Sequence, residues 1–222
     1  MTNAIIKNLR PLTPDSPVAS YLNRRHLGWV TQEKSTAINL GWDNLNYFCN
    51  QTKQFYRLPT IVAPFTKNGE VVAIHRTFID ENREIIARGH DRRFKGKMSG
   101  SVAKLSKGSS NRVILTEGIE DALSLWSVDN CNLETHVWVA GSSTNLKTIN
   151  LPRWKSLKLI IGADNDAAGI AAANHLQKRV ADIEGYSAVV LPPLSGKDWN
   201  QYICMIRGLS LIHISEPTRP LY

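Results

Sequence analysis

The sequence predicts an α/β fold in which helices cover both faces of a parallel sheet, preceded by a small α+β region with an antiparallel hairpin. From residue 111 onward, apolar runs without polar alternation are separated by stretches with helical spacing, as expected for a covered parallel sheet. Earlier, two β-rich runs within residues 60–80 flank the turn sequence KNGE. We therefore divide the 222 residues into a first region, 1–105, a second region, 106–207, and a tail, 208–222.

The first region is predicted to contain several short elements. Residues 16–27 are expected to form a helix with Ser16 as N-cap and Pro17 at the first helical position. Residues 35–48 fit either a strand or a short helix. The hairpin follows, and residues 83–89 are expected to add a third strand.

A basic, Gly/Ser-rich segment at residues 88–110 shows weak periodicity, and a flexible loop is expected there. Flexible Arg and Lys side chains can follow a phosphate backbone. The candidates for binding nucleic acid or phosphate are Arg88, Arg92, Arg93, Lys95 and Lys97, with His75 and Arg76 from the hairpin. Phe94 could stack on a base. A solvated linker explains the loop equally well, and a structural hydrogen bond explains His75 at least as well.

Charge is divided unevenly along the chain. Residues 1–110 contain 17 Lys and Arg against 8 Asp and Glu, a balance of +9, whereas residues 111–222 contain 10 against 11, a balance of −1. An excess of positive charge on this scale favours a polyanionic partner, and we expect nucleic acid to bind the first region.

Other classes of protein are not supported by the sequence. No apolar run approaches the ~18 residues of a membrane span, and the first residues lack the apolar core of a signal peptide, so a cytoplasmic protein without membrane contact is expected. The three cysteines are far apart and form no CxxC pair. Neither a zinc site nor a disulfide framework is therefore expected, and the thiols should be reduced.

The second region alternates strands and helices. The predicted strands are 112–118, 135–143, 157–166 and 187–193, and the predicted helices are 119–128 and 168–183. In such sheets, sites form at the carboxyl ends of the strands. The residues that follow each strand are therefore candidates for a functional site.

Acidic residues follow three of these strands. Glu117 follows the first strand, and Asp164 and Asp166 end the third. Asp198 follows the fourth, and Asp121 lies one helical turn beyond Glu117. Residues i and i+2 of an extended chain point the same way, so Asp164 and Asp166 are expected to address one point. Clustered carboxylates are unfavourable without a cation, and all-oxygen ligands suit Mg²⁺ or Mn²⁺ and not zinc.

Three motifs in this order, TEGIEDAL, GADNDAAG and GKDWN, resemble those of the Toprim domain over about residues 111–205. A weaker resemblance extends over about residues 16–105. The form is similar to the primase-like Toprim proteins of phages and plasmids, relatives of bacterial DnaG-type primases. The resemblance implies a Rossmann-like sheet and a nucleotidyltransferase that makes short RNA primers. Its partners would be single-stranded DNA, ribonucleoside triphosphates and a replicative helicase.

The resemblance also implies roles at the matching positions. Glu117 would be the catalytic acid or base, or would help to bind a metal. Magnesium or manganese would be bound by four carboxylates: Asp164, Asp166, Asp121 and Asp198. Lys197 would contact phosphate. For Lys197 and Asp198, a role in stabilising the loop explains the residues about as well.

Two other functions stay open. A Toprim nuclease would use the same acids with water as the attacking group, and a catalytically silent Toprim module would only bind nucleic acid or a replication partner. Retention of Glu117, Asp164 and Asp166 argues against the silent module. The zinc ribbon that often precedes primases of this kind, and the tyrosine nucleophile domain of topoisomerases, are not visible in the sequence.

The tail fits neither a helical nor a strand period. Residues 209–219 resemble the translation of a sequencing adapter, and we expect residues 208–222 to be non-native. The natural chain is then expected to continue beyond Gly208.

Overall fold

The computed structural model describes residues 2–32, 38–80, 86 and 91–215, with side chains up to residue 208. The helices are α1 (Thr2–Lys7), α2 (Ala19–Arg24), α3 (Ile119–Val128), α4 (Ser143–Thr148), α5 (Ala167–Ala181) and α6 (Trp199–Ser215). The strands are β1 (Gly41–Cys49), β2 (Gln54–Lys67), β3 (Glu70–Phe78), β4 (Arg92–Gly96), β5 (Val102–Ser106), β6 (Arg112–Thr116), β7 (His136–Val139), β8 (Leu157–Gly162) and β9 (Tyr186–Leu191). A short 3₁₀ helix spans Gly28–Thr31.

All the described strands belong to one sheet with the order β4-β3-β2-β5-β7-β6-β8-β9, and β1 pairs with β2. Strand β6 is parallel to β7 and β8, and β8 is parallel to β9, which confirms the parallel sheet of the second region. The remaining pairs are antiparallel. The predicted hairpin is confirmed as β2 and β3, joined by a turn in which Asn68 and Gly69 have φ of 52° and 85°.

The prediction of a flexible loop over residues 88–110 is wrong at strands β4 and β5, which lie within that segment. Strand β4 pairs with β3, and β5 pairs with both β2 and β7. The sheet therefore continues from the first region into the second. Strands as short as these are stabilised by neighbours that are distant in the chain. The local sequence therefore carries little sign of them. Arg88 and the predicted strand over residues 83–89, apart from Ile86, lie outside the described residues.

The helix predicted at residues 16–27 is shorter than expected. Helix α2 begins at Ala19, and its N-cap residue is Val18, which provides no side-chain hydrogen bond. The Ser16 hydroxyl instead donates to the Thr13 carbonyl at 2.6 Å. Ser16 therefore stabilises the turn before the helix and is not its cap. The ambiguous stretch at residues 35–48 contains most of strand β1.

Hydrophobic residues pack on both faces of the sheet. On one face, Leu22 and Val30 of the first region share a core with Leu123 and Trp126 of helix α3. Trp29 contacts Trp126 edge to face, with ring centroids 5.6 Å apart. Helix α5 packs in the core of the opposite face. Because the two regions share a core as well as a sheet, the first region is held firmly against α3.

Helix α6 extends into the tail. Its backbone is helical through Ser215, although no helical period was predicted beyond residue 208. Leu209 and Leu211 favour helix and the first proline after the start of α6 is Pro217, so no proline interrupts a helix that has already started. Within the described part of the chain, none of the helices combines the length and the apolar character that a membrane span requires.

Candidate active site

A cavity of about 210 Å³ lies where the carboxyl ends of the parallel strands meet the first region. Its lining combines acidic groups with basic and aromatic ones. The lining residues are Arg25, His75, Arg92, Phe94, Glu117, Gly118, Ile119, Glu120, Asp121, Val139, Gly141, Asp164, Lys197, Asp198 and Asn200. Four of the five acidic residues predicted for the site line this cavity, as expected from the meeting of strand ends at one edge of a parallel sheet. They are Glu117, Asp121, Asp164 and Asp198.

Glu117 follows strand β6 directly and is half-buried. Its carbonyl accepts a hydrogen bond from the Gly141 amide at 2.9 Å, which ties the end of β6 to the end of β7. Burial raises the pKa of the Glu117 carboxyl, and the negative charge of Asp164 raises it further, against the Ser143 amide that donates to it. Glu117 is therefore held within electrostatic reach of Asp164.

Asp164 follows strand β8 and is also half-buried. Burial raises the pKa of its carboxyl, and so do the negative charges of Asp198 and Asp166. Gly169 packs so closely that a Cβ there would lie 2.6 Å from the Asp164 carbonyl oxygen. A side chain at position 169 would therefore displace the Asp164 backbone.

Asp166 has a different position from the one expected. Strand β8 ends at Gly162 and the chain bends at residues 165–166, so the extended geometry assumed for Asp164 and Asp166 is absent. The exposed Asp166 carboxylate is the N-cap of α5 and accepts a hydrogen bond from the Gly169 amide at 2.8 Å. It does not line the cavity, although its charge acts on Glu117 and Asp164.

The loop before α6 is bonded to the loop that contains Asp164. The Asn165 amide donates to the Lys197 carbonyl at 2.7 Å. The Asp198 carboxylate accepts from the Gln201 amide at 2.7 Å and so stabilises the start of α6. Lys197 is exposed at the cavity, where its charge lowers the pKa of Glu117 and Asp164 against the stronger opposing effects. These contacts fit the loop-stabilising role of Asp198 and leave Lys197 placed to meet an anion.

Asp121 is buried and bonded to Asn200, a residue that the sequence reasoning missed. The Asn200 amide donates to the Asp121 carboxylate at 2.9 Å. The Asn200 side chain donates to the Arg25 carbonyl and to the Ser124 hydroxyl, both at 3.0 Å. Burial raises the pKa of Asp121 well above its usual range, and the charge of Asp198 adds to the effect. The only sequence signal for Asn200 was its place at the end of GKDWN.

The donor set fits a hard divalent cation. Among the described residues, no group of three or more His, Cys, Asp or Glu side chains is arranged to hold a metal ion by itself. Magnesium requires fewer protein ligands, since it keeps several waters and binds through one or two carboxylates plus substrate phosphates. Neighbouring carboxylates with raised pKa, as at Glu117 and Asp164, are the arrangement that a cation would relieve.

The predicted basic residues lie on two faces of the sheet. His75 pairs with Phe94, and Arg76 pairs with Arg93. Because side chains alternate along a strand, these two pairs project to opposite faces. His75 and Phe94 line the cavity, whereas the Arg93 guanidinium lies over the Tyr47 ring at 4.1 Å.

The other basic candidates also differ in position. Lys95 pairs with Ile74 and so shares the face of Arg93, and Lys97 is exposed just beyond β4. Arg92 is on the cavity side, where its guanidinium forms an ion pair with Glu120 at 3.1 Å. Arg92 is therefore already paired within the protein.

Glu120 is the centre of a network that the sequence reasoning also missed. It is 5 % exposed, and the Tyr21 hydroxyl donates to its carboxylate at 2.6 Å. Burial alone would raise the pKa of Glu120, but Arg92 and the Tyr21 hydrogen bond outweigh it and lower the pKa to about 2. The available signal was helical spacing, because Glu120 lies three residues before Leu123 of the apolar stripe.

Family models match both regions of the chain. A model described as Toprim domain matches residues 112–207, and a model described as a domain of unknown function (DUF7146) matches residues 1–105. No curated protein sequence matches the chain.

Two solved structures share the fold, and a third is similar over part of the chain. A DNA primase domain from Pseudomonas aeruginosa is 14 % identical, with a TM-score of 0.53 over 96 % of this chain and 77 % of that one. The DnaG catalytic core is 14 % identical, with a TM-score of 0.53 over 93 % and 74 %. The primase fragment of the bacteriophage T7 primase-helicase is 18 % identical, with a TM-score of 0.47 over 71 % of this chain, which spans 61 % of that fragment.

The chain shares the fold of these two primase domains, and its cavity lies at the carboxyl ends of the parallel strands. The second region matches the Toprim domain model over residues 112–207 and is a Toprim domain. Toprim domains generally bind divalent metal ions, which agrees with the carboxylates of the cavity.

Proposed function

We propose that the protein is a metal-dependent nucleotidyltransferase that synthesises short RNA primers on single-stranded DNA during replication of a phage, plasmid or other mobile element. The observation that carries this proposal is the position of Glu117 and Asp164, whose carboxylates influence each other at one cavity formed by strand ends of a Toprim domain. The primase fold of the whole chain supports the same reaction class.

The cofactor of this proposal is Mg²⁺ or Mn²⁺. Asp164 and Asp166 would hold it, with Asp121 and Asp198 as further candidate ligands, and Glu117 would act as the catalytic acid or base. When bound, the ion neutralises charge that develops on the transferring phosphate and the leaving pyrophosphate. Of the five carboxylates, four already accept backbone hydrogen bonds, namely Glu117, Asp121, Asp166 and Asp198, so Asp164 is the least committed among the described contacts.

The protein's own side chains supply the other parts of the reaction. Burial and the charge of Asp164 raise the pKa of the Glu117 carboxyl. A carboxylate with a raised pKa is a stronger base, which suits it to accept the proton of an attacking hydroxyl. Lys197 is exposed at the cavity, where its ammonium can contact a phosphate of the incoming nucleotide. The ribonucleoside triphosphate would therefore bind with its phosphates at the carboxylates of the cavity.

The template would bind the basic first region. Arg76, Arg93 and Lys95 share the face of β3 and β4 that is turned away from the cavity, and Lys97 follows them, so a template held there would reach the cavity around the edge strand β4. Sequence-independent contact between such groups and phosphates suits a protein that must hold varied templates. The resemblance to primase-like Toprim proteins also makes a replicative helicase an expected partner.

Primer synthesis can be tested directly. The chain is incubated with single-stranded DNA, labelled ribonucleotides and Mg²⁺, with a chelator in the control reaction. We expect short labelled RNA only when the metal is present. Cleavage of the DNA without RNA synthesis would show a nuclease instead. Salt-sensitive retention of DNA with neither reaction would show a binding module.

A further inference from the structure

Part of the cavity lining comes from the first region. His75 on β3 and Phe94 on β4 are neighbours across the hairpin edge, with ring centroids 4.7 Å apart. We call these two residues the aromatic wall. Both line the same cavity as Glu117 and Asp164. A ligand that reaches the carboxylates through this cavity would therefore also meet the aromatic wall.

His75 is buried without the hydrogen bond that such a group normally makes. Its side chain is 6 % exposed, and within the described ranges its Nδ1 has no hydrogen-bond partner. A buried polar atom left unpaired costs about 1–3 kcal/mol. Such an atom calls for an explanation, and a ligand group, a water or an ion can supply the missing bond.

The chemistry of His75 indicates what that ligand group would be. Burial lowers the pKa of His75 to about 4, so the imidazole is neutral at physiological pH. A neutral imidazole offers one donor and one acceptor, which match a hydroxyl or the edge of a base better than a phosphate. Arg92, the nearby cation, is paired with Glu120. The wall therefore suits an uncharged polar group.

Phe94 is fixed relative to Glu117. Its ring also contacts Phe65 edge to face, with centroids 5.4 Å apart. It packs against Gly141 so closely that a Cβ there would lie 2.7 Å from Phe94 Cζ. The Gly141 amide in turn donates to the Glu117 carbonyl at 2.9 Å. The wall and the end of β6 are therefore held in one rigid arrangement.

We infer that the aromatic wall binds the nucleoside part of the nucleotide, through a sugar hydroxyl or a base edge that bonds to His75. This inference rests on the proposed function, because it takes the phosphates of the same nucleotide to lie at Glu117 and Asp164. Phe94 supports the imidazole and limits the space beside it. His75 is then a residue that recognises substrate and not one that binds phosphate.

Calorimetric titration with ATP, dATP and inorganic tripolyphosphate, each with Mg²⁺, tests the inference. His75→Phe keeps a flat ring and removes both nitrogens, His75→Gln restores a neutral hydrogen-bonding group, and His175→Phe is the matched control at an exposed site on α5. We expect H75F to weaken ATP binding at least about tenfold, the loss of one good hydrogen bond to a buried partner. H75Q should recover part of the loss, and tripolyphosphate should bind all four proteins alike.

Comparison of ATP with dATP shows which part of the nucleoside contacts His75. Loss with ATP and not with dATP assigns the 2′-hydroxyl, and equal loss with both assigns another part of the nucleoside. Unchanged ATP binding in H75F, or an equal loss with tripolyphosphate, would overturn the inference. If H75F does not fold, Phe94→Leu replaces it with the same expectations. If the wild-type chain makes primers and H75F binds ATP normally, only this inference is refuted. If the wild-type chain binds no nucleotide, the proposed function is refuted as well.

Discussion

The Arg92 guanidinium lies 3.1 Å from the carboxylate of Glu120. This ion pair joins strand β4 of the first region to the first turn of α3, three residues after Glu117. The Tyr21 hydroxyl, from α2, donates to the same carboxylate. Three elements are thus fixed at one buried charge beside the cavity, which explains how a sheet edge from the first region can form one of its walls.

Replacing Arg92 and replacing Glu120 should lower the free energy of unfolding by different amounts. Arg92→Met leaves the buried Glu120 charge without its cation, whereas Glu120→Gln leaves Arg92 able to reach water, since its side chain is 45 % exposed. We expect a loss of about 3 kcal/mol for R92M and about 1 kcal/mol for E120Q in urea unfolding. Arg93→Met, on the opposite face, is the control and should cost less than R92M. Equal losses for R92M and E120Q would contradict the asymmetry.

The lowered pKa of His75 predicts that the free energy of unfolding depends on pH. Its pKa falls from 6.5 to about 4 on folding, so the unfolded chain takes up a proton that the folded chain excludes as the pH drops through this window. The free energy of unfolding should therefore decrease by about 3 kcal/mol between these two pH values, with no contribution from His75 above the window.

His75→Gln isolates this effect. The variant has no imidazole, so the difference between its unfolding free energy and that of the wild type should change across the window and be constant above it. Urea unfolding at a series of pH values measures this difference. Parallel curves for the two proteins would show that His75 protonates normally in the folded state.

Asp166 should contribute to stability as a helix cap. Asp166→Ala removes the acceptor for the Gly169 amide and should cost about 1 kcal/mol, whereas Asp166→Asn keeps an acceptor oxygen and should cost little. If Asp166 is also a metal ligand, D166N should lose primer synthesis while it keeps its stability. Equal stability of the two variants would argue against the cap.

The sequence predicts the acidic part of the site well. Glu117 and Asp164 follow apolar runs, and the carboxyl ends of parallel strands meet at one edge, so their proximity follows from the pattern. Asp166 departs from the expectation because a single bend after β8 turns it into a cap. The irregular backbone between β8 and α5, residues 163–166, changes where the Asp166 side chain points.

The basic and aromatic part of the site was less predictable. The segment around Arg92 has the composition of a loop, and only its pairing with β3 makes it a strand with two faces. Glu120 acquires its role from Tyr21, a residue 99 positions away. Such contacts depend on the shared core of the two regions. The spacing of apolar residues along the sequence does not predict them.

The central claim, that the acidic cavity is the catalytic centre for primer synthesis, is tested most directly by Asp164→Asn. The initial rate of primer synthesis with Mg²⁺ and the affinity for single-stranded DNA are measured on the same preparations. Asp182→Asn, an exposed carboxylate at the other end of α5, is the matched control. We predict that D164N lowers the rate about a hundredfold or more with unchanged DNA affinity, and that D182N equals the wild type. Primer synthesis by D164N at the wild-type rate would contradict the claim.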